Sequence, residues 1–193
     1  MNAPRPTPPH VPELIVTDRL ELRAPRLEHV PALTAAVRAS LPELKPWMPW
    51  ATDDYGEAVC EQGVRQAIAA FALREDLRYH LFDRATGELI GSTGYHRIKW
   101  DVPRMEIGYW LLSSKTGNGY VTEATRELAR RAFAELGAQR VELRCDDRNL
   151  ASAAVAQRCG FELDGVLQHY VRGTDGSLRA ERIYSLTAVS GLR

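Results

Sequence analysis

No stretch of this sequence stays apolar for the roughly 20 residues that a membrane-spanning helix needs, so none of it is expected to cross a bilayer. The opening segment, MNAPRPTPPHVPEL, lacks the apolar core of a secretory signal. Its prolines instead mark residues 1–14 as an extended arm, expected to be mobile. Neither sign of charge is in excess, since 25 Lys and Arg face 25 Asp and Glu. That balance argues against bulk binding of a phosphate backbone, which needs a net basic surface, so no nucleic-acid partner is expected. Cysteine is scarce: Cys60, Cys145 and Cys159 are odd in number and share no metal or redox spacing. They read as free thiols of a reducing cytoplasm, and no metal site is expected. Cys145 lies in a strand-like run with no histidine near it in sequence, which suits a small buried hydrophobe better than a nucleophile. Internal repeats are absent as well.

What is present is the composition of an ordinary globular domain. The 193 residues are 45% hydrophobic and 26% charged, enough for one compact unit with a real core, expected over 15–193. Leu20 and Leu22 alternate with charged residues, as in a half-buried strand. Pro25 is expected to open a helix running to about Leu41, with Leu27, Val30, Leu33 and Val37 on one face. A loop rich in proline and tryptophan, LPELKPWMPWATD, follows, and then a helix over about 55–74. Residues 79–83 and 88–97 read as strands joined at Thr86 and Gly87, and RMEIGYWLL as another strand. The helix after it buries Val121, Ala124, Leu128, Ala132, Phe133 and Leu136 and stops at Gly137. RVELRC is the next strand. Strand, helix and strand in close order make a βαβ crossover, so 105–112 and 140–145 should be parallel. A short helix over 150–158 stops at Gly160. An antiparallel pair, 161–172 and 181–187, closes the chain. The fold class expected is α+β, a mixed and mostly antiparallel central sheet with one βαβ crossover.

Two glycines, Gly117 and Gly119, stand at the mouth of the central helix. Glycine allows sharp turns and close approach to a ligand, and a helix mouth offers unpaired N–H groups and a positive dipole end. An anion seated on Gly117 to Thr122 would use both; a ligand-free strand-to-helix turn is the alternative. A P-loop requires a Lys-Ser/Thr pair after its last glycine, where Tyr120 and Val121 stand. The dinucleotide fingerprint requires a third glycine, where Thr122 stands.

The third phosphate pattern is the acyl-CoA loop. The pieces EIGYWL, GNGYVTEA, RNLAS, RCGFELDG and RIYSL occur in order, with VTDRLELRAP and LKPWMPW ahead of them. Together they resemble the GNAT superfamily of acetyltransferases, most of all its RimJ/RimL-like branch, which acetylates N-termini of ribosomal proteins. The resemblance spans essentially 15–188. It implies parallel strands that splay apart to admit acetyl-CoA. It assigns the cofactor to Trp110, Leu111, Leu112, the loop Thr116, Gly117, Asn118, Gly119, Tyr120, Val121 and Thr122, and Asn149. The loop departs from the family pattern at Thr116 and Val121. The tyrosine that often serves as acid is replaced by Ala156. Ser152, one turn earlier on the same face, is the hydroxyl that remains, and is expected to assist the departing thiolate.

The reaction implied is direct attack of a primary amine on the thioester. It needs a neutral amine, oxyanion donors and help for the leaving thiolate. Backbone N–H groups near 107–110 are the oxyanion donors expected. Glu106, His96 and His169 are candidate bases, with Glu106 ranked first. Trp47, Trp50 and His96 are expected to line the acceptor pocket, and Glu123 to be an ordinary first-turn acid. The acceptor implied is a protein or peptide N-terminus, and a homodimer is a state the branch often adopts. A small-amine or antibiotic N-acetyltransferase and a non-catalytic acyl-CoA-binding module remain as alternatives. Ser152, Asn149 and Glu106 together count against the module.

Overall fold

The computed structural model describes residues 9–193. One eight-stranded sheet organises the chain, in the spatial order β1-β2-β3-β4-β5-β6-β8-β7. Its strands are β1 (Leu14–Val16), β2 (Leu20–Arg23), β3 (Leu77–Asp83), β4 (Leu89–Lys99), β5 (Arg104–Leu111), β6 (Arg140–Asp146), β7 (Glu162–Arg172) and β8 (Leu178–Leu186). Every neighbouring pair is antiparallel except β5 and β6, which are parallel. The expected mixed sheet with one crossover is therefore the observed fold.

The crossover is helix α4 (Tyr120–Ala134), whose Ala124, Leu128, Ala129 and Ala132 are almost wholly removed from water. They pack on Met105, Ile107, Val141 and Leu143, the inward residues of the two parallel strands. Tyr95 anchors the helix from β4, its hydroxyl donating to the Leu128 carbonyl at 2.7 Å. Gly137, at φ 70°, ends the segment as expected. The opposite face of β3 and β4 is covered by α1 (Val30–Ala39) and α3 (Glu57–Leu73), packed through Val30, Val37, Val64 and Phe82. Helix α5 (Leu150–Arg158) lies beyond the end of β6.

Local differences have simple causes. Pro25 opens no helix; a 3₁₀ turn at 27–29 intervenes and α1 carries Pro31 in its first turn, where a missing N–H costs no hydrogen bond. The tryptophan-rich loop contains one helical turn, α2 (Leu41–Leu44). β8 begins at Leu178 rather than Glu181, and β1, only three residues long, carries too little alternation to read. The expected free arm is docked at its described end. Val11 is 3% exposed in the core, and the Pro12 carbonyl accepts from the Tyr79 hydroxyl at 2.8 Å. Residues 1–8 lie outside the described residues.

Between α1 and β3, two buried histidines meet, His29 Nδ1 and His80 Nδ1 lying 2.8 Å apart beside Phe82. One donates and the other accepts, so the pair is built for two neutral rings. Burial, then His29 and Arg78, push His80 down to about 3, and burial likewise lowers His29. A histidine depressed on folding binds more protons when unfolded. Its neutral form thus supports the fold fully above the unfolded pKa near 6.5, and the support is lost as pH falls from there toward about 3. The urea midpoint should accordingly drop between about pH 7.5 and about pH 5, and drop less in His80→Gln. Equal drops in both proteins would remove His80 as the cause.

Candidate active site

The parallel ladder between β5 and β6 is short. It pairs Arg104 with Arg140, Met105 with Val141 and Glu106 with Glu142, and then stops. β4 goes on pairing β5 as far as Leu111, and β8 goes on pairing β6 as far as Asp146. A wedge therefore opens between the two strands beyond Glu106. Strand backbones alternate the edge toward which each residue turns its N–H and C=O. The Leu112 N–H bonds Ile90 on the β4 side at 2.7 Å, while the Pro103 carbonyl accepts from Gln139 on the β6 side at 2.7 Å. By that alternation Tyr109 and Leu111 turn their backbone groups into the wedge, where β6 no longer meets them. Unpaired strand groups of this kind are a template for an added extended chain.

The glycine loop sits at the C-terminal end of β5. Gly117 and Gly119 adopt φ of 79° and 78°, the left-handed region where a side chain would be strained. Among the described residues, no group accepts from the backbone N–H of any residue from Gly117 to Thr122. The side chains of the loop mostly hold its shape. Thr116 donates to the Ser113 carbonyl at 2.8 Å, and Asn118 donates to the Lys115 and Thr116 carbonyls. Arg19 braces the loop from the β1–β2 turn, donating to the Asn118 carbonyl at 2.9 Å and covering the Tyr120 ring. Glu123, in the first turn of α4, accepts from the Thr17 hydroxyl, the Arg19 N–H and the Arg19 guanidinium at 2.6–2.9 Å. Burial pushes its carboxyl up, but those bonds outweigh it and hold the pKa below the ordinary value. Its negative charge is thus neutralised locally and does not oppose an anion at the helix mouth. Val121 and Leu112 line the loop as apolar neighbours, packed against or buried in the core.

On the α4 side of β5 stands a hydroxyl pair. Asn149 caps α5, its Oδ1 accepting from the Ser152 N–H at 3.0 Å, which leaves its amide N–H groups uncommitted among the described residues. Ser152 Oγ lies 2.8 Å from the Tyr109 hydroxyl. Ala156 is fully buried and offers no hydroxyl, as expected. Tyr109 escaped the sequence reading. It alternates onto the face of Met105 and Ile107, and nothing near it in sequence sets it beneath the start of α5. Burial pushes its phenol far up, and the bond to Ser152 offsets this only in part. Burial also raises the Cys145 thiol beside Ser152, which keeps it protonated and apolar in character.

The other face of β5 carries Glu106, Gly108 and Trp110. Glu106 Oε2 faces Arg97 at 3.0 Å and Arg144 at 3.5 Å. Burial raises its pKa against the pull of both guanidinium groups. Arg144 reaches on to Glu142 at 2.9 Å and Glu181 at 3.3 Å. His96, paired with Glu106 in the β4–β5 ladder, bonds Asp76 Oδ2 through Nδ1 at 2.5 Å. Trp50 packs its ring 6.2 Å from Trp110 and 5.8 Å from Tyr55. Trp47 is half-buried and stacks on no other ring among the described residues. The loop that holds both tryptophans borders a cleft of about 650 Å³ opposite Thr174, Asp175 and Arg179. Buried Arg179 ties the two sides together, bonding the Pro46 carbonyl, Asp146 and Asp175 at 2.9–3.0 Å. His169, the third base candidate, lies apart on the exposed edge strand β7, at φ 53°. No cluster of three or more metal-binding side chains occurs among the described residues, and no described helix is long and apolar enough to cross a membrane.

The profile of the family described as Acetyltransferase (GNAT) domain matches residues 19–162. The chain belongs to the GNAT acetyltransferases. This N-acetyltransferase is 29% identical over 154 residues to the ribosomal-protein-serine acetyltransferase of Escherichia coli, covering 79% of its own length and 84% of that protein. It is 32% identical over 127 residues to the protein YdaF of Bacillus subtilis, covering 65% of this chain and 66% of that protein. Among solved structures it matches RimL, a ribosomal L7/L12 α-N-protein acetyltransferase in complex with coenzyme A, at 25% identity. The TM-score is 0.86, over 92% of this chain and 99% of that one. The RimJ/RimL-like branch expected from the motifs is the branch these relatives represent.

Proposed function

We propose that this N-acetyltransferase moves the acetyl group of acetyl-CoA to the α-amine of a protein or peptide N-terminus, by direct attack. The wedge beyond Glu106, with the unpaired backbone of Tyr109 and Leu111 opening toward the bare amides of 117–122, carries the reading. Pantetheine bonds the wedge edge at Leu111, between Trp110 and Leu112, whose own backbone groups turn to β4 and not, as expected, to the wedge. The diphosphate seats on Thr116, Gly117, Asn118, Gly119, Tyr120, Val121 and Thr122, drawing on backbone donors and the helix dipole. Asn149 turns its free amide to the pantetheine. The Tyr109 N–H stabilises the oxyanion. As the C–N bond forms and the C–S bond breaks, Ser152 donates to the departing thiolate, and Tyr109 donates to Ser152. Trp47, Trp50 and His96 border the acceptor, and Glu106 is a fixed charge beside it. The relatives named for ribosomal proteins support an N-terminal acceptor.

Amine chemistry supports it as well. An α-amine with pKa about 7.7–8.0 is roughly one-tenth neutral at pH 7. A lysine ε-amine near 10.4 is neutral in only about one molecule in a few thousand, a further cost of about 3.5 kcal/mol.

A peptide with a free N-terminus should therefore be acetylated faster than the same peptide blocked there and offering only lysine. Mass spectrometry that locates the acetyl group mainly on lysine, or turnover of small amines alone, would contradict the acceptor. Ser152→Ala should lower kcat by about tenfold to a thousandfold, the scale for one such donor, while leaving KM for acetyl-CoA nearly unchanged. An unchanged kcat at saturating substrate would reduce Ser152 to a helix-packing role.

A further inference from the structure

β4 is irregular just before the wedge opens. Its register against β5 shifts between His96 and Lys99, and Arg97 adopts φ 49°. A bulge of this kind re-aims the side chains beside it and recurs next to active sites. Here it lays the His96 ring over Gly108 of β5. A Cβ at Gly108 would come within 2.8 Å of His96 Cδ2 and 3.1 Å of Nε2, so only glycine admits the ring. The ring thus lies one residue from Tyr109, whose backbone faces the wedge, on the opposite side of the strand from Ser152.

Its two nitrogens are in different situations. Nδ1 bonds Asp76 Oδ2 at 2.5 Å, while Nε2 has no partner among the described residues. Asp76 Oδ1 is buried and also has none. Asp76 therefore fixes the tautomer with the proton on Nδ1 and leaves the Nε2 lone pair exposed. The charged groups facing His96 are Asp76 from the turn before β3, Arg97 on its own strand and Glu106 from β5. Glu106 is engaged by two guanidinium groups, whereas Nε2 is free.

The geometry points to His96 as the proton acceptor of the transfer, with Asp76 as its positioning residue. This assignment rests on the acetyltransferase reading above. The acceptor ammonium loses one proton to Nε2, directly or through one water. The neutral amine then forms the C–N bond as the C–S bond breaks, and the imidazolium returns its proton to solvent.

The test is release of free CoA thiol from acetyl-CoA, with a panel of free-N-terminus peptides and small primary amines. His96→Gln should lower kcat/KM by about a hundredfold or more near pH 7, the scale of general-base catalysis. It should leave KM for acetyl-CoA unchanged and abolish the acidic limb of the kcat/KM profile. Asp76→Asn should lower kcat/KM with KM for acetyl-CoA unchanged, and Asp76→Glu should restore part of the rate. Thermal melting of each variant confirms folding. An active wild type whose His96→Gln variant keeps its rate and its acidic limb overturns the assignment alone. So does loss of the limb in Glu106→Gln but not in His96→Gln. A wild type that binds acetyl-CoA and acetylates no amine overturns the assignment and the transferase reading together.

Discussion

Everything in the candidate site depends on where the hydrogen bonds between β5 and β6 end. Three residue pairs hold the parallel strands together, and past Glu106 and Glu142 there are none. Charge and bulk both mark the parting. Arg144 stands between the strands and answers Glu106 on one, Glu142 on the other and Glu181 on β8. Buried ion pairs are weak evidence for stability, because desolvation offsets much of the attraction. Their better-supported use is to fix geometry, which is the use this position calls for. On the α4 face, Tyr109 and Ser152 occupy the parted region with a polar contact rather than apolar packing. The cost is an edge of backbone that neighbouring strands cannot satisfy, in the middle of an otherwise continuous sheet.

That edge gives β5 two working sides. Met105, Ile107 and Tyr109 point toward α4 and α5, so the hydroxyl pair lies on the side of the apolar core. Glu106, Gly108 and Trp110 point the other way, toward the ion-pair network, the His96 ring and the tryptophan loop. The proposed proton donor, Ser152, and the proposed proton acceptor, His96, are thereby kept apart by the thickness of a strand. Separation of this sort lets two titratable sets hold different protonation states at one pH.

Much of this was legible in the sequence, for particular reasons. The crossover could be read because α4 repeats its apolar residues with helical spacing, and because Gly137 stops it before a run of alternating residues. The glycine turn at the mouth of α4 could be read because Gly117 and Gly119 stand directly before a helical run. Pairings across distance were not legible. Nothing near Tyr109 announces Ser152, and nothing near His96 announces Asp76, because each partner comes from another element and only the folded register joins them. His96 itself was visible as a candidate, but its ring position depends on a bulge, and a bulge has no sequence signature as strong as a glycine. The role of Glu123 was hidden for the same reason: as a first-turn acid it looks ordinary until the β1–β2 turn arrives with Thr17 and Arg19.

The most direct test is amide hydrogen exchange of the whole chain, followed by NMR with and without acetyl-CoA. If the wedge and the helix mouth hold the cofactor through backbone donors, protection should rise at Tyr109 and Leu111 and across Gly117 to Thr122. Gly108 and Trp110, already paired to β4, should change little. Tight binding of acetyl-CoA with no added protection at Tyr109, Leu111 or the glycine loop would contradict the wedge as its seat.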